Sequence, residues 1–405
     1  MVKKRLVILG AGIGGLSVIQ ELKQRGSLAS GNLEVTIIDK SFVHFIGFTL
    51  PWLVRGWRTP DQVPIVPGKQ FLDGVTTITG TVTAIDSQRR VVSGDDFEIG
   101  YDALVVALGA KNNLSAVPGL EEANDAGICH HYYSIEDAAK AHRALADFTG
   151  GKIAMLIPSL PFRCPPAPYE GAMLIADYLK ERGRRQEAQI DIFTVEPRPM
   201  PAAGPSPGPQ VEAFLSQADI GFHRNMSCQG IDVATKQIKF AQGGSADFDL
   251  LFCVPPHEPA LGLDYERNWI AVDNRTLAAD KEGIWAVGDI AAIITPSGTP
   301  VPKAAIMAKG QARAAVDNVL RYLCLAPAGG AFTGIGYCIV DVGSRLAARG
   351  IGDFYAPYAP AVEVGQPSLD MHAFKEREER DWRTLVAPAS EGDPVNCEDP
   401  PNAAG

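Results

Sequence analysis

The 405-residue sequence has no long apolar run. Nothing approaches the roughly 18 residues a helix needs to cross a bilayer, and the stretch Ala103 to Ala110 stops short and carries a glycine, so a membrane-spanning chain is not expected. Positive charge is in deficit, with 37 Lys and Arg against 47 Asp and Glu and a net charge of -10, which disfavours a phosphate-binding surface for DNA or RNA. Cysteine is sparse. Seven scattered residues lack the density of a secreted disulfide scaffold, so a reducing compartment and a cytoplasmic location are expected. An odd number leaves at least one unpaired, while a single redox-active pair stays open. His130 and His131 beside Cys129, and Cys228 with His223, have no second Cys/His cluster at zinc-like spacing, so no metal site is expected. His257, after Val254-Pro255-Pro256, reads as a satisfied loop histidine. The basic and apolar start MVKKRLVILGAG has no small-residue cleavage site after it and reads as a first strand.

What is present is a globular balance, 46% hydrophobic against 21% charged, in a chain with room for two or three domains. The pattern opens as a β-α-β unit: an apolar strand Arg5 to Leu9, a glycine turn, a helix Gly14 to Arg25 closed by Gly26, then a strand Glu34 to Asp39. Alternating β-branched residues from Val75 to Ile85 and from Val91 to Ile99 predict a small antiparallel insertion, followed by a buried strand Ala103 to Ala107. A second β-α-β unit follows, with strand Ile153 to Ile157, helix Tyr169 to Arg182 and strand Gln189 to Val195. A strand ending at Val287 and a helix from about Ala304 to Tyr322, preceded by Pro302, complete the first domain. The fold class expected is α/β, two Rossmann-like dinucleotide-binding domains plus a small C-terminal region. Residues 1–110 and 253–325 form the first domain, 111–252 the second, 326–386 the C-terminal region, and 387–405 a disordered tail.

Gly10, Gly12 and Gly15 form G-x-G-x-x-G between strand and helix, where missing side chains let backbone amides and the helix dipole approach a pyrophosphate. Asp39 ends the next strand, where a carboxylate can bind ribose hydroxyls. FAD is favoured by Tyr101 to Ala110, which includes Gly109, and by Gly283-Ile284-Trp285-Ala286-Val287-Gly288-Asp289. These resemble the second and third flavin fingerprints of the two-dinucleotide-domain flavoproteins, the glutathione reductase-like class. The resemblance implies that Asp289 holds the ribityl chain, a helix N-cap being compatible with that role. Lys303 precedes a helix, so its charge and the dipole both suit negative charge on a flavin pyrimidine ring; a surface lysine is the alternative.

Where a nicotinamide-binding reductase carries a second glycine fingerprint, this chain has Pro158-Ser159-Leu160-Pro161-Phe162-Arg163-Cys164-Pro165-Pro166-Ala167-Pro168-Tyr169-Glu170. Prolines remove amide donors, so the usual pyrophosphate cradle and NAD(P)H as donor are not expected. Cys164 sits in a stiff loop close to a helix N-terminus that favours a thiolate, and a redox role is assigned to it. Glu170 is a candidate to accept a proton or orient the site, with an ordinary first-turn carboxylate as the alternative.

At these residues the sequence resembles the sulfide:quinone oxidoreductases and the flavoprotein subunits of flavocytochrome c sulfide dehydrogenase, over nearly the whole chain to about Leu385. Cys164 to Glu170 is the most specific motif, supported by Phe48-Thr49-Leu50-Pro51-Trp52 with Gly56, by Val301-Pro302-Lys303 and by Gly336-Tyr337-Cys338. The resemblance implies that Cys164 and Cys338 flank the flavin as a disulfide, or a sulfur-bridged form of it. Hydrosulfide opens it to leave a persulfide on one cysteine, and the released thiolate passes two electrons to FAD. It also implies Lys303 beside the reduced flavin, Glu170 in proton movements, a quinone as acceptor and peripheral contact with a membrane. A core or solvent-lining role for Cys338 stays open, as does a homo-oligomer.

The chain departs from the family in two places. Many quinone-reducing members have a third cysteine before a helix like Glu136 to Leu145, where this chain holds Tyr133 with Cys129 four residues earlier; two working cysteines are expected. No cysteine lies between Lys40 and Pro60, so FAD is expected to be noncovalent. Phe354, Tyr355 and Tyr358 are candidates for an apolar quinone pocket, with packing at a core edge as the alternative. The stretch KEREERDWRTL is charged on most faces and makes a poor interfacial membrane helix. Rival functions are a flavocytochrome c-type sulfide dehydrogenase with a haem-protein acceptor, a type II NADH:quinone oxidoreductase, and a noncatalytic flavoprotein sensor.

Overall fold

The computed structural model describes residues 3–264 and 268–387. The expected disorder of the tail falls on 388–405, outside the described residues. Five parallel strands build the first sheet, in the order Ile284–Ala286, Ala103–Val106, Lys4–Leu9, Leu33–Asp39 and Val75–Thr79. The last four residues of Lys4–Leu9 and all of Ala103–Val106 are buried. Continuous Val, Leu and Ile runs are what a parallel sheet covered on both faces requires. Helix α1 (Ile13–Gln24) follows the glycine turn, and α2 (Thr49–Arg55) lies beyond the second strand. The segment Val75–Thr79 corrects the expected antiparallel insertion. It pairs in parallel with Leu33–Asp39 as the sheet's edge, while only Val82–Asp86, Val91–Gly94 and Glu98–Gly100 form the antiparallel piece. Gly80 divides them, and β-branched content does not distinguish an edge strand from a meander.

Helices α3 (Leu120–Asp125) and α4 (Ile135–Asp147) lead into the second sheet. Its order is Ile220–His223, Ala188–Thr194, Gly151–Ile157, Leu250–Cys253 and Cys129–His130, again all parallel. Helix α5 (Ala167–Glu181) joins Gly151–Ile157 to Ala188–Thr194, and α6 (Pro207–Gln217) precedes the edge strand. The chain then returns to the first sheet, and α7 (Ala305–Tyr322) packs against α1. The molecule thus has two Rossmann-like layers, the first built from sequence segments that flank the second.

The C-terminal region is an antiparallel sheet, Ile335–Gly343, Leu346–Asp353 and Ala361–Val364, with α8 (Leu369–Val386) packed on it. Phe354 and Tyr355 are buried in the core while Tyr358 is exposed, and none of the three lines the candidate-site cavity described below. The core-edge alternative therefore applies to Phe354 and Tyr355. Helix α8 buries His372, Lys375, Glu379, Trp382 and Val386. These recur at three- and four-residue spacing, one helical stripe, so the helix has an inner face made mostly of polar residues. No described helix is long and apolar enough to cross a membrane.

Candidate active site

A cavity of about 520 Å³ runs from the glycine turn of the first sheet to α5 and the C-terminal sheet. Its first wall is the G-x-G-x-x-G turn. Gly10 has φ +95°, and a Cβ there would lie 2.5 Å from the Ala107 carbonyl oxygen. A Cβ on Gly15 would lie 1.9 Å from the Gly10 carbonyl oxygen, so that glycine lets α1 close onto the strand. Gly12 differs: a Cβ there meets nothing within 4 Å. It lines the cavity, so its missing side chain leaves room for a ligand rather than for the protein. The carboxylate of Asp39 accepts hydrogen bonds from the backbone N–H of Ala11 at 2.7 Å and of Ser41 and Phe42 at 2.9 Å. It shapes the turns on either side of the cavity it lines.

Gly109, Gly288 and Asp289 complete this wall. The N–H of Gly288 donates to Gln311 Oε1 at 2.7 Å. Burial pushes the Asp289 carboxyl up, opposed by Arg163 and Lys303. Lys303 Nζ donates to the carbonyls of Asp289 and Ala291 and lies 3.8 Å from the centre of the Trp269 ring. Burial lowers it to about 8, against the pull of Asp289. Lys303 also meets the second domain directly, because the Cys164 N–H donates to its carbonyl at 2.8 Å. These groups fit FAD: an open glycine cradle, a buried carboxylate for ribityl hydroxyls and a cation beside a helix start.

Cys164 and Cys338 line the same cavity, both as free thiols in this structure. Cys164 sits in the loop between Gly151–Ile157 and α5 with φ +58°, and its carbonyl accepts the N–H of Ala167, the first residue of α5. Cys338 comes from the strand Ile335–Gly343, opposite Gly350. Burial raises the Cys164 thiol, with Glu170 and Cys338 adding to the shift and Lys375 opposing it. Burial likewise pushes Cys338 up to about 11, with Lys375 opposing and Glu170 adding. Each thiol thus feels the same acid and the same cation.

That cation was not legible as a site residue. Lys375, 1% exposed, donates to Glu170 at 2.7 Å and to Asp341 at 2.8 Å. Asp341 also accepts the Trp52 indole N–H at 2.7 Å and pairs with His372 Nδ1 at 2.6 Å. Burial raises Glu170 above the carboxylate range despite Lys375, and Asp341 adds to the rise. Asp341, which burial alone would raise, is held below that range by Lys375 and then His372. Burial alone would lower Lys375, but Asp341 and Glu170 hold its pKa above the ordinary value. Two adjacent carboxyls with opposite shifts mark Glu170 as the one able to carry a proton. The only advance signals were Trp52 in its motif and the helical spacing of α8.

The remaining candidates sort by position. Tyr133 lines the cavity, stacked on Tyr132 at 5.7 Å. Cys129 is buried in the second domain's core beside Cys253, away from the cavity lining. His257 is half-buried rather than solvated, with a backbone hydrogen bond to Pro255. Burial, then Arg163, lowers it to about 2 against that bond. At the far flank, Tyr337 donates to Glu378 at 2.8 Å, and Lys309 Nζ lies 4.9 Å from the Trp382 ring centre. All four line the cavity.

A family model for pyridine nucleotide-disulphide oxidoreductases matches residues 4–312. The chain belongs to that family. It is an FAD-dependent oxidoreductase. It is 25% identical over 351 residues to a mitochondrial sulfide:quinone oxidoreductase of Dictyostelium discoideum, covering 82% of this chain and 74% of that one. It is 26% identical over 384 residues to a sulfide-quinone reductase of Aquifex aeolicus, covering 89% and 85%. The crystal structure of the Aquifex aeolicus sulfide:quinone oxidoreductase superposes with a TM-score of 0.81 at 21% identity, covering 95% of this chain and 91% of that chain. The expected kinship with that group stands.

Proposed function

We propose that the protein oxidises hydrosulfide to sulfane sulfur at a Cys164–Cys338 disulfide and delivers the electrons, through noncovalently held FAD, to a quinone. One observation carries the reading: two cysteines far apart in sequence line one cavity with the glycine cradle and share Glu170 and Lys375. Hydrosulfide attacks the disulfide, breaking the S–S bond to leave a persulfide on one cysteine and a thiolate on the other. The persulfide and thiolate then rejoin as a sulfur-bridged link, losing one proton and two electrons. FAD held by the Gly12 turn, Asp289 and Lys303 would supply the two-electron acceptor for that pair on its way to the quinone, which takes up two protons.

The chain's own residues supply the rest. Lys375 offsets charge on whichever sulfur is the thiolate. Glu170, in its carboxylate form, takes the proton that leaves the persulfide, and its raised pKa lets it hold that proton near neutrality. Lys303, which lines the cavity beside Asp289, is the cation available to offset negative charge on a reduced flavin ring. The flank formed by Tyr337, Trp382, Lys309 and Glu378 offers aromatic surface with an adjacent acid and base for the quinone. The enzyme meets its quinone by peripheral contact with a membrane.

The test is anaerobic steady-state reduction of a short-chain ubiquinone by sulfide, with wild type, Cys164→Ser and Cys338→Ser. The reading predicts turnover in wild type only. A wild type that reduces a c-type cytochrome but no quinone would move the acceptor to a haem protein, and turnover in either variant would remove the disulfide from the mechanism.

A further inference from the structure

A second cavity, about 1230 Å³, shares no lining residue with the first. It lies between the end of α2 and the turn after it, the outer faces of α4 and α5, and the hairpin turn Ser344-Arg345. Its lining inverts the charge of the molecule. Arg55, Arg58, Arg143, Lys180, Arg182 and Arg345 face only Asp177 and Glu181, in a chain where acids outnumber bases 47 to 37. Both acids are already committed, Arg55 binding Asp177 at 2.8 Å and Glu181 at 2.5 Å. Arg58 and Arg345 pair with Glu379 and Glu376 of α8. Arg143, Lys180 and Arg182 have no carboxylate partner among the described residues.

The cavity is also structurally fixed. Ser344 and Arg345 both have positive φ, 53° and 57°, and the Ser344 N–H donates to Asp177 at 2.8 Å. Tethered there, the hairpin sets the Arg345 guanidinium 4.5 Å from the Trp57 ring centre, with Arg55 5.3 Å from the same centre. Tyr178, 3% exposed, lines the wall with a buried hydroxyl that has no hydrogen-bond partner. Arg182 stacks on its ring at 4.3 Å. Arg143, Lys180 and Arg182 are exposed at the mouth of this fixed cavity without carboxylate partners, and uncompensated guanidinium groups there match the planar-fork recognition of phosphate oxygens.

We propose that this cavity binds the phosphate group of an anionic ligand, with Arg143, Lys180 and Arg182 as the free cations. A soluble phosphate and a phospholipid headgroup present the same chemistry, and the test separates them. The flavin-loaded full chain is titrated calorimetrically with inorganic pyrophosphate, and separately sedimented with phosphatidylcholine vesicles with and without phosphatidylglycerol. The test variant is Arg143→Gln with Arg182→Gln. The charge-matched control is Lys236→Gln with Arg321→Gln, at exposed positions outside this cavity.

Saturable pyrophosphate binding that weakens at least about tenfold in the test variant, but not in the control, supports a soluble phosphate. Sedimentation only with phosphatidylglycerol, lost in the same variant alone, supports the headgroup. Binding of neither probe, or equal behaviour of test variant and control, overturns the proposal. Sulfide-dependent quinone reduction is measured alongside, so that failure here is distinguishable from failure of the flavin-site chemistry.

Discussion

The two β-α-β units share a topology and differ in what fills the turn. In the first, Gly12 leaves the cradle open and Asp39 bonds the backbone around it. In the second, the turn is the proline-rich loop that carries Cys164. The acid that follows its second strand, Glu196, is 1% exposed and bonded to the Tyr169 hydroxyl and Thr194. Tyr169 itself is fully buried. One unit presents backbone amides and space for a dinucleotide; the other spends the same positions on a thiol and a closed acid–phenol pair. Dinucleotide binding therefore follows from the turn and not from the Rossmann layer alone.

Changing the sulfur should have the largest effect. Cys164→Ser or Cys338→Ser lowers the rate of flavin bleaching by sulfide by roughly a thousandfold or more, measured anaerobically, as expected when a nucleophile is lost. Filling the open turn comes next. Gly12→Leu sets a Cβ where no protein atom lies within 4 Å and extends its branch into the cradle, so the purified protein retains about a tenth of the flavin or less with its backbone circular dichroism unchanged. Ser159→Leu, in the matching turn of the second unit, leaves flavin content as in wild type.

Removing the cation that joins α5 to the C-terminal sheet costs stability as well as rate. Lys375→Met leaves Glu170 and Asp341 buried without their shared partner, and chemical denaturation should show a loss of about 3–5 kcal/mol. The smallest effect belongs to the closed acid. Burial pushes Glu196 up to about 7 from an ordinary 4.5, so folding favours its protonated form. That contribution is present below about 4.5 and is lost as pH rises to about 7. Across that window wild type should lose about 3 kcal/mol relative to Glu196→Gln in urea titrations; parallel pH profiles would mean that the acid is not sealed.

Much of this was legible where the reason is local. Glycines, apolar strands and the Cys164 loop carry their constraints in a few adjacent residues, so both units and their turns could be read directly. The expectation misplaces Val75–Thr79 because edge pairing depends on a neighbour forty residues away. Lys375, Asp341 and His372 were missed for a related reason. Helix α8 looked charged on most faces because hydrophobic periodicity counts only apolar residues, whereas its buried stripe carries Lys375 and Glu379 neutralised by partners from other segments. His257 packs edge-on against Tyr133, a contact across the fold that the loop sequence does not show. Pairing across the fold, rather than residue type, decided each of these.

The central claim is that electrons enter at the cysteine loop and not through a second nucleotide. Anaerobic stopped-flow absorbance of the yellow protein mixed with sulfide, and in a parallel syringe with NADH, tests it most directly. The account predicts rapid bleaching of the flavin by sulfide and none by NADH on the same time scale. Bleaching by NADH with sulfide inert would contradict it, and would mean that the proline loop and the Tyr169–Glu196 pair do not close the second site.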